Sequence, residues 1–228
     1  MIFGSSYEPL FHIGPVPVYD HVVAQWIVLF ILAVICIAAT RNMQVVPRGL
    51  QNFFEWVVEW CYNFFGGALG SEHAAKRYTP LLATFFLFIL TSNYFGLIPG
   101  AGTIHGFVPP TSDWNITGTL ATIVFFSVLI AGFREQGGHY LAHFVSPHWL
   151  FLPMNILEQF ARPLSLTLRL FGNIFGHEMI VAFLVLMAPF LVPMPLQALG
   201  VLTGLIQALV FTILATSYLA DVVGEGHH

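Results

Sequence analysis

Ala161-Arg-Pro-Leu-Ser-Leu-Thr-Leu-Arg-Leu-Phe-Gly-Asn-Ile-Phe-Gly-His-Glu178 lies inside a long apolar run, yet it carries two arginines, an asparagine, a histidine and a glutamate. An ionisable group at bilayer depth costs roughly 3 kcal/mol on insertion scales and more in simulations. Arg169 cannot escape that cost by losing its proton, because a guanidinium stays charged at any accessible pH. A chain that places such a residue mid-helix is using the charge.

The surroundings set the class. Of 228 residues 57% are hydrophobic and only 8% charged, with mean hydropathy +0.80. That composition predicts an all-α polytopic membrane protein forming a single membrane domain over residues 1–228. The short alternating segments of a β-barrel are absent. Cys36 falls in an apolar stretch and Cys61 in an amphipathic one, so no disulfide framework is implied. The amino end carries Glu8, Asp20, Pro9, Pro15 and Pro17 without a basic region, so it does not read as a cleaved signal.

In chain order, residues 1–20 are expected to be an external loop with a short turn. Val22–Ala39 suffices for one crossing. Gly49–Gly70 interleaves Phe53, Trp56, Trp60 and Phe64 with Gln51, Glu55 and Glu59, which suits a helix lying in the interface. Its two glutamates are expected on the solvated face. Leu81–Ile98 and Thr117–Phe133 are the second and third crossings. Leu150–Val192 is too long to stand upright: at 1.5 Å per residue, a helix of about 40 residues reaches about 60 Å, twice the hydrocarbon thickness. It must tilt steeply, kink at Pro163 or begin with a separate piece before Pro153. Leu196–Val223 is also over-long, so residues 150–223 are expected to form a tilted antiparallel hairpin.

Five of the seven basic residues (Arg41, Arg48, Lys76, Arg77 and Arg134) fall in loops that a five-crossing chain puts on one side. The opposite loops have none. The positive-inside rule then predicts an external N-terminus and a cytoplasmic C-terminus.

On a helix with 100° per residue, Arg162, Ser165, Arg169, Asn173 and Gly176 fall within about 40° of one line. Glu178 sits roughly 180° away from Arg169 and about 13 Å along the axis, so the two look into different spaces. One face offers a permanent cation, the other a titratable carboxylate with His177 beside it as a possible proton relay. Gln207 is a further polar group inside an apolar run, seven residues after Gly200. Plainer roles stand beside these. Gly172 and Gly176 form a G-x-x-x-G pair that serves close helix packing, and a lone buried Gln is often interhelical glue. His139 and His143 have a spacing that suits a metal but lack a third ligand of obvious type, so no metal or cofactor is expected.

Lys76, the sole lysine, has no Walker-type context, which excludes a P-loop and leaves no intramembrane lysine for a retinal Schiff base. No hydrolytic motif is present, and no nucleic-acid partner is expected.

Ser165-Leu-Thr-Leu-Arg-Leu-Phe-Gly-Asn173 followed by Glu178 resembles the signature of subunit a of the F-type ATP synthase, the stator of a proton-driven rotary motor. Thr40–Trp56, Asn93–Pro99 and Ile206–Phe211 resemble further segments of that family. The resemblance implies a non-catalytic membrane subunit of a bacterial plasma membrane. Its partners would be lipid, an oligomeric c-ring with one buried carboxylate per subunit, the peripheral-stalk subunit b and, indirectly, the soluble ATPase sector. It also implies that Arg169 faces the ring and blocks a direct leak between two offset half-channels. Asn173, His177, Glu178, Gln207 and Asn93 would line the outer one, Ser165 and Arg162 the inner one. This chain has Gly96 where some members have an acid, and Gly200 where some have a histidine. The second departure suggests that His177 substitutes from the neighbouring helix. The competing function is a proton-coupled secondary transporter, which would call for inverted repeats and a substrate pocket; a purely structural subunit would not need Arg169.

Overall fold

The computed structural model describes residues 11–13, 16–41, 43–98, 108–137, 152–187 and 193–224. Among the described residues five helices are long and apolar enough to cross a membrane: α1 (Asp20–Thr40), α3 (Glu72–Phe95), α4 (Trp114–Glu135), α5 (Leu152–Met187) and α6 (Pro193–Gly224), with the shorter α2 (Leu50–Cys61) between the first two. The architecture is that of an all-α polytopic membrane protein. His139 and His143 lie outside the described residues.

The amino-terminal segment departs from the expected loop. Phe11–Ile13 (β1) pairs antiparallel with Val16–Val18 (β2) in the register Phe11↔Val18, His12↔Pro17 and Ile13↔Val16. Two residues separate the strands, the commonest hairpin spacing. Pro17 is tolerated because every strand of a two-stranded ribbon is an edge.

Gly49 and Gly70 both take positive φ, 60° and 72°, and so bracket the amphipathic stretch with turns that a side chain would strain. Glu55 and Glu59 are exposed, but Gln51 is buried. Its amide holds the Gln44 backbone at both ends, accepting from Gln44 N (3.1 Å) and donating to Gln44 O (3.0 Å). After α2 the chain widens into a π-turn over Tyr62–Gly66. Gly66 fits closely there, since a Cβ would lie 3.1 Å from both Ala75 Cβ and Thr79 Oγ1. Cys61 is buried, and its thiol is pushed up to about 11, so it acts as an apolar packing group.

The core is built on α3. Its side chains Leu82, Phe85, Phe86 and Ile89 pack with Phe65, with Val124 and Val128 of α4, and with Phe211, Ala215 and Leu219 of α6. Small residues on α6, among them Gly204 and Ala208, allow a close approach; a Cβ on Gly204 would lie 3.3 Å from Asn93 Cβ. Helix α3 starts at Ser71, whose Oγ accepts from Ala74 N (3.1 Å), and α4 starts at Asp113, whose carboxylate accepts from Asn115 N (2.6 Å).

Helix α5 is a single element from Leu152 to Met187, with Pro153 in its first turn; the stretch before Leu152, where a separate piece was an expectation, lies outside the described residues. Its 36 residues span about 54 Å. Helix α6 has 32 residues.

Candidate functional site

Buried residues of α5 follow an i, i+4 stripe, Leu166, Leu170 and Ile174, with Thr167 beside it. Arg169 and Glu178 fall on opposite borders of that stripe. On the border shared with α4, Phe160 stacks on Phe125 (centroids 5.9 Å apart) and Phe171 meets Trp114 edge-on (5.6 Å). On the α6 border, Arg162 pairs with Asp221 (3.4 Å) and lies over the Tyr218 ring (4.9 Å). These two sets of anchors fix the rotation of α5. Arg169 is left at the α6 border and Glu178 is turned towards α4.

Arg169 is exposed, on a surface otherwise made of Leu157, Leu164, Leu168, Phe175 and Phe183. Among the described residues no carboxylate or hydrogen-bond acceptor engages its guanidinium. Arg162 differs in every respect: half-buried, it is held by Glu158 (2.8 Å) as well as Asp221. The two arginines of the motif are therefore a tied one and a free one. Ser165 is exposed on the open face, and Asn173 is half-buried.

A small cavity of about 20 Å³, open to the centre of a water molecule, lies between α3, α5 and α6. Asn93, Gly96, Pro109, His177, Glu178 and Gly200 are among its walls. Its size suits about one water, with Asn93, His177, Glu178 and Thr203 as polar groups in otherwise apolar walls. The structure thus brings Asn93, His177 and Glu178 together, while Asn173, Gln207 and Ser165 are not in its wall. His177 faces Gly200 closely: a Cβ there would lie 2.8 Å from His177 Nε2 and 2.6 Å from Leu97 Cδ2. Asn93 is buried and engaged at both amide atoms, its Nδ2 donating to Gly204 O (3.0 Å) and its Oδ1 accepting from Thr111 Oγ1 (2.9 Å). It braces α3, α6 and the turn Pro110–Ser112. The place of a side chain at Gly96 is filled by Pro109, whose Cβ would stand 2.6 Å from a Cβ at 96.

Gln207 is buried, and its Nε2 has no partner among the described residues. With His177 opposite Gly200 in an antiparallel pair, eight residues back to Arg169 (about 12 Å) and seven forward to Gln207 (about 10.5 Å) bring these two to nearly one level.

Sequence reasoning did not single out Ser112, Thr111 or Thr203. Ser112 is buried and donates to Pro109 O (2.9 Å), and Thr203 lines the cavity. Ser112 stands next to the helix-capping Asp113, a pattern that signals a helix start and nothing about burial. Among the described residues no cluster of His, Cys, Asp and Glu has the geometry to hold a metal.

A sequence profile described as ATP synthase A chain matches residues 22–220, a span that includes every helix named above except the last turn of α6 and the first residues of α1. The chain belongs to that family. Similar proteins include ATP synthase subunit a of Moorella thermoacetica, 43% identical over 219 residues and covering 96% of each chain. Subunit a of Geobacter sulfurreducens is 41% identical over 99% of this chain and 96% of its own. That of Trichlorobacter lovleyi is 41% identical over 98% and 95%. Within the family this chain is a multi-pass subunit of the membrane sector of the ATP synthase, and the secondary-transporter alternative falls away.

Proposed function

We propose that α5 and α6 form the stator surface across which protons pass to and from the ring of the ATP synthase, in a bacterial plasma membrane with the N-terminus outside. The observation that carries this reading is Arg169: a permanent cation, without a partner among the described residues, on an apolar face left open. Unpaired, it carries the full cost of a charge at bilayer depth. A carboxylate on an adjacent subunit offsets that cost, and the cation in turn favours the ionised carboxylate. A proton reaching the ring from one side is thereby released before it passes the arginine, and direct leak is blocked.

Glu178 and His177 serve as the outer relay, on the far border of α5 from the ring. Asn93 supports them by bracing three elements, and Gln207, near the level of Arg169, offers a spare donor beside it. Asn173 lies on the line between the relay and Arg169. Ser165, on the open face one turn to the cytoplasmic side, borders the inner exit, and Arg162 anchors that end. Each proton falling through 100 mV supplies about 2.3 kcal/mol, so several are needed per ATP made in the soluble sector. Subunit b of the peripheral stalk would hold this chain still against the ring's torque.

The test is crosslinking in the assembled complex. A cysteine at Leu168, on the open face, is expected to form a disulfide with a cysteine placed near the ring carboxylate, whereas one at Ile89, in the core, is not. Equal yield from both positions, or none from 168, rejects the assignment of this face to the ring.

A further inference from the structure

Helix α6 turns a stripe of small residues towards its neighbours: Gly200, Gly204 and Ala208 are buried at successive i, i+4 positions. Such a stripe permits close approach but offers few side-chain ridges to stop one helix sliding on the next. The height of α6 nevertheless matters. Gly200 faces the His177 imidazole so closely that a Cβ there would lie 2.8 Å from Nε2. Leu199 and Val201 flank it, so a slip that exchanges Gly200 for either neighbour sets a branched side chain against the ring. Asn93 meets the stripe midway. Its Nδ2 donates to Gly204 O (3.0 Å), four residues after Gly200 and three before Gln207, or about 6 Å and about 4.5 Å along the axis. A carbonyl only accepts, so the amide nitrogen is bound to face α6 and Oδ1 to face the turn Pro110–Ser112. There Thr111, fully buried, must donate, and does so at 2.9 Å. The turn is itself a fixed point. Pro109 fills the place of a side chain at Gly96, Pro110 opens the turn with a restricted φ, and α1, α3, α4 and α5 all pack against it. Asn93 is therefore a strut held at both ends, and its far end is Thr111.

We propose that Thr111 is a positioning residue of the outer path: acting through Asn93 it sets the height of α6, so that Gly200 stays opposite His177 and Gln207 stays level with Arg169. The inference rests on the stator reading of α5 and α6. Thr111 moves no proton, because its O–H is committed to Asn93 Oδ1. Without that bond Oδ1 is a buried acceptor left unmet, at a cost that favours turning the carboxamide towards another donor. The turn gives up the bond to Gly204 O. Helix α6 then keeps its inner ties, Gln136 Nε2 on Val222 O (2.8 Å) and the Arg162–Asp221 pair (3.4 Å), while its outer half slides on the small-residue stripe.

The experiment reads the height of α6 and proton pumping in membrane vesicles carrying the whole complex. For the height, His177→Cys is combined with Gly200→Cys, and disulfide formation under mild oxidation is followed. That bond needs Cβ atoms about 4 Å apart, which makes it sensitive to sliding. Thr111→Val, which keeps the shape and drops the hydroxyl, is expected to slow the disulfide about tenfold, and Thr111→Ser to return it to within about twofold of the parent. Gln136→Leu, which cuts an inner tie, is expected to leave it unchanged. Absence of the disulfide in the parent, an equal rate in Thr111→Val, or equal slowing by Gln136→Leu overturns the proposal. For pumping, His177 and Gly200 are native. Thr111→Val is expected to lower the rate per assembled complex severalfold, and Thr111→Ser to restore it. Added to Asn93→Leu, Thr111→Val is expected to lower the rate no further; a further fall equal to its own overturns the proposal. Should Thr111→Val fail to assemble, Asn93→Asp decides. It keeps the size and the Thr111 bond but sets an oxygen against Gly204 O, so the disulfide is expected to slow, and an unchanged rate overturns the proposal. The disulfide forms without pumping, so failure of the stator reading, seen as near wild-type pumping by Arg169→Lys, is distinct from failure at Thr111.

Discussion

Helices α3 and α5 each cross the membrane, yet 61% of the apolar window of α3 is buried within the chain against 11% for α5. Their charges are distributed in the opposite sense. Helix α3 keeps Glu72, Lys76 and Arg77 at its start, where Lys76 pairs with Glu72 (2.6 Å) and Arg77 reaches Glu135 of α4 (3.6 Å). Its inner length carries neutral polar groups, of which Asn93 is satisfied on both sides. Helix α5 places a guanidinium and a carboxylate mid-length and leaves the guanidinium without a partner among the described residues. The contrast teaches that one helix holds the fold and the other presents chemistry to a neighbour, with the same apolar vocabulary serving both.

The sharpest way to break that contrast is at Arg169. Arg169→Lys keeps a positive charge but replaces the delocalised fork with a compact ammonium that can lose its proton in a poorly solvated site. Pumping in vesicles is expected to be abolished while the complex still assembles; near wild-type pumping would mean the face is not the working one. The complementary change on α3 acts on stability. Leu82 is fully buried, and Leu82→Ala is expected to destabilise by on the order of 2 kcal/mol or more, lowering the thermal stability of the detergent-solubilised complex and the amount assembled.

Glu178→Gln comes next: strong impairment of pumping with assembly intact, whereas Glu178→Asp and Glu178→His, which still titrate, retain more. Three equal rates would make the residue structural. A smaller effect is expected across the α5–α6 seam. Gly200→His alone should slow pumping, because its first side-chain carbon already meets His177 Nε2 and Leu97. His177→Gly alone removes the imidazole and slows it as well. The double variant hands the ring to the other helix and is expected to recover part of the rate, Leu97 yielding at its flexible tip. A double variant no better than the worse single one separates the two positions functionally despite their contact. Smallest is Arg162→Gln. With its carboxylate partners mostly solvated, it is expected to cost under about 1 kcal/mol of stability, read as a slight fall in the melting temperature of the complex.

Much of this division was legible beforehand. Arg169 and Glu178 on opposite borders of α5 follow from helical period alone, and the lengths of both hairpin helices follow from unbroken apolar runs. The hairpin at residues 11–18 was not legible, because prolines obscure strand patterning. The fate of Arg162 was not legible either: it shares a helical line with Arg169, and only the fold sets Asp221 and Tyr218, more than fifty residues away, against it. Ser112 was hidden for the same reason. A hydroxyl beside a helix cap looks local, and its burial depends on how a turn is pressed between helices.

The Gly96–Pro109 contact has a consequence for how such a chain can change over generations. Any side chain at 96 must displace a rigid ring whose atoms would stand 2.6 and 2.7 Å from its first carbon. An acid cannot enter there by a single substitution unless Pro109 changes first, and losing that proline alone opens a void beside Asn93. A titratable group in the wall of the cavity is thereby kept off position 96 at the end of α3 and on α5.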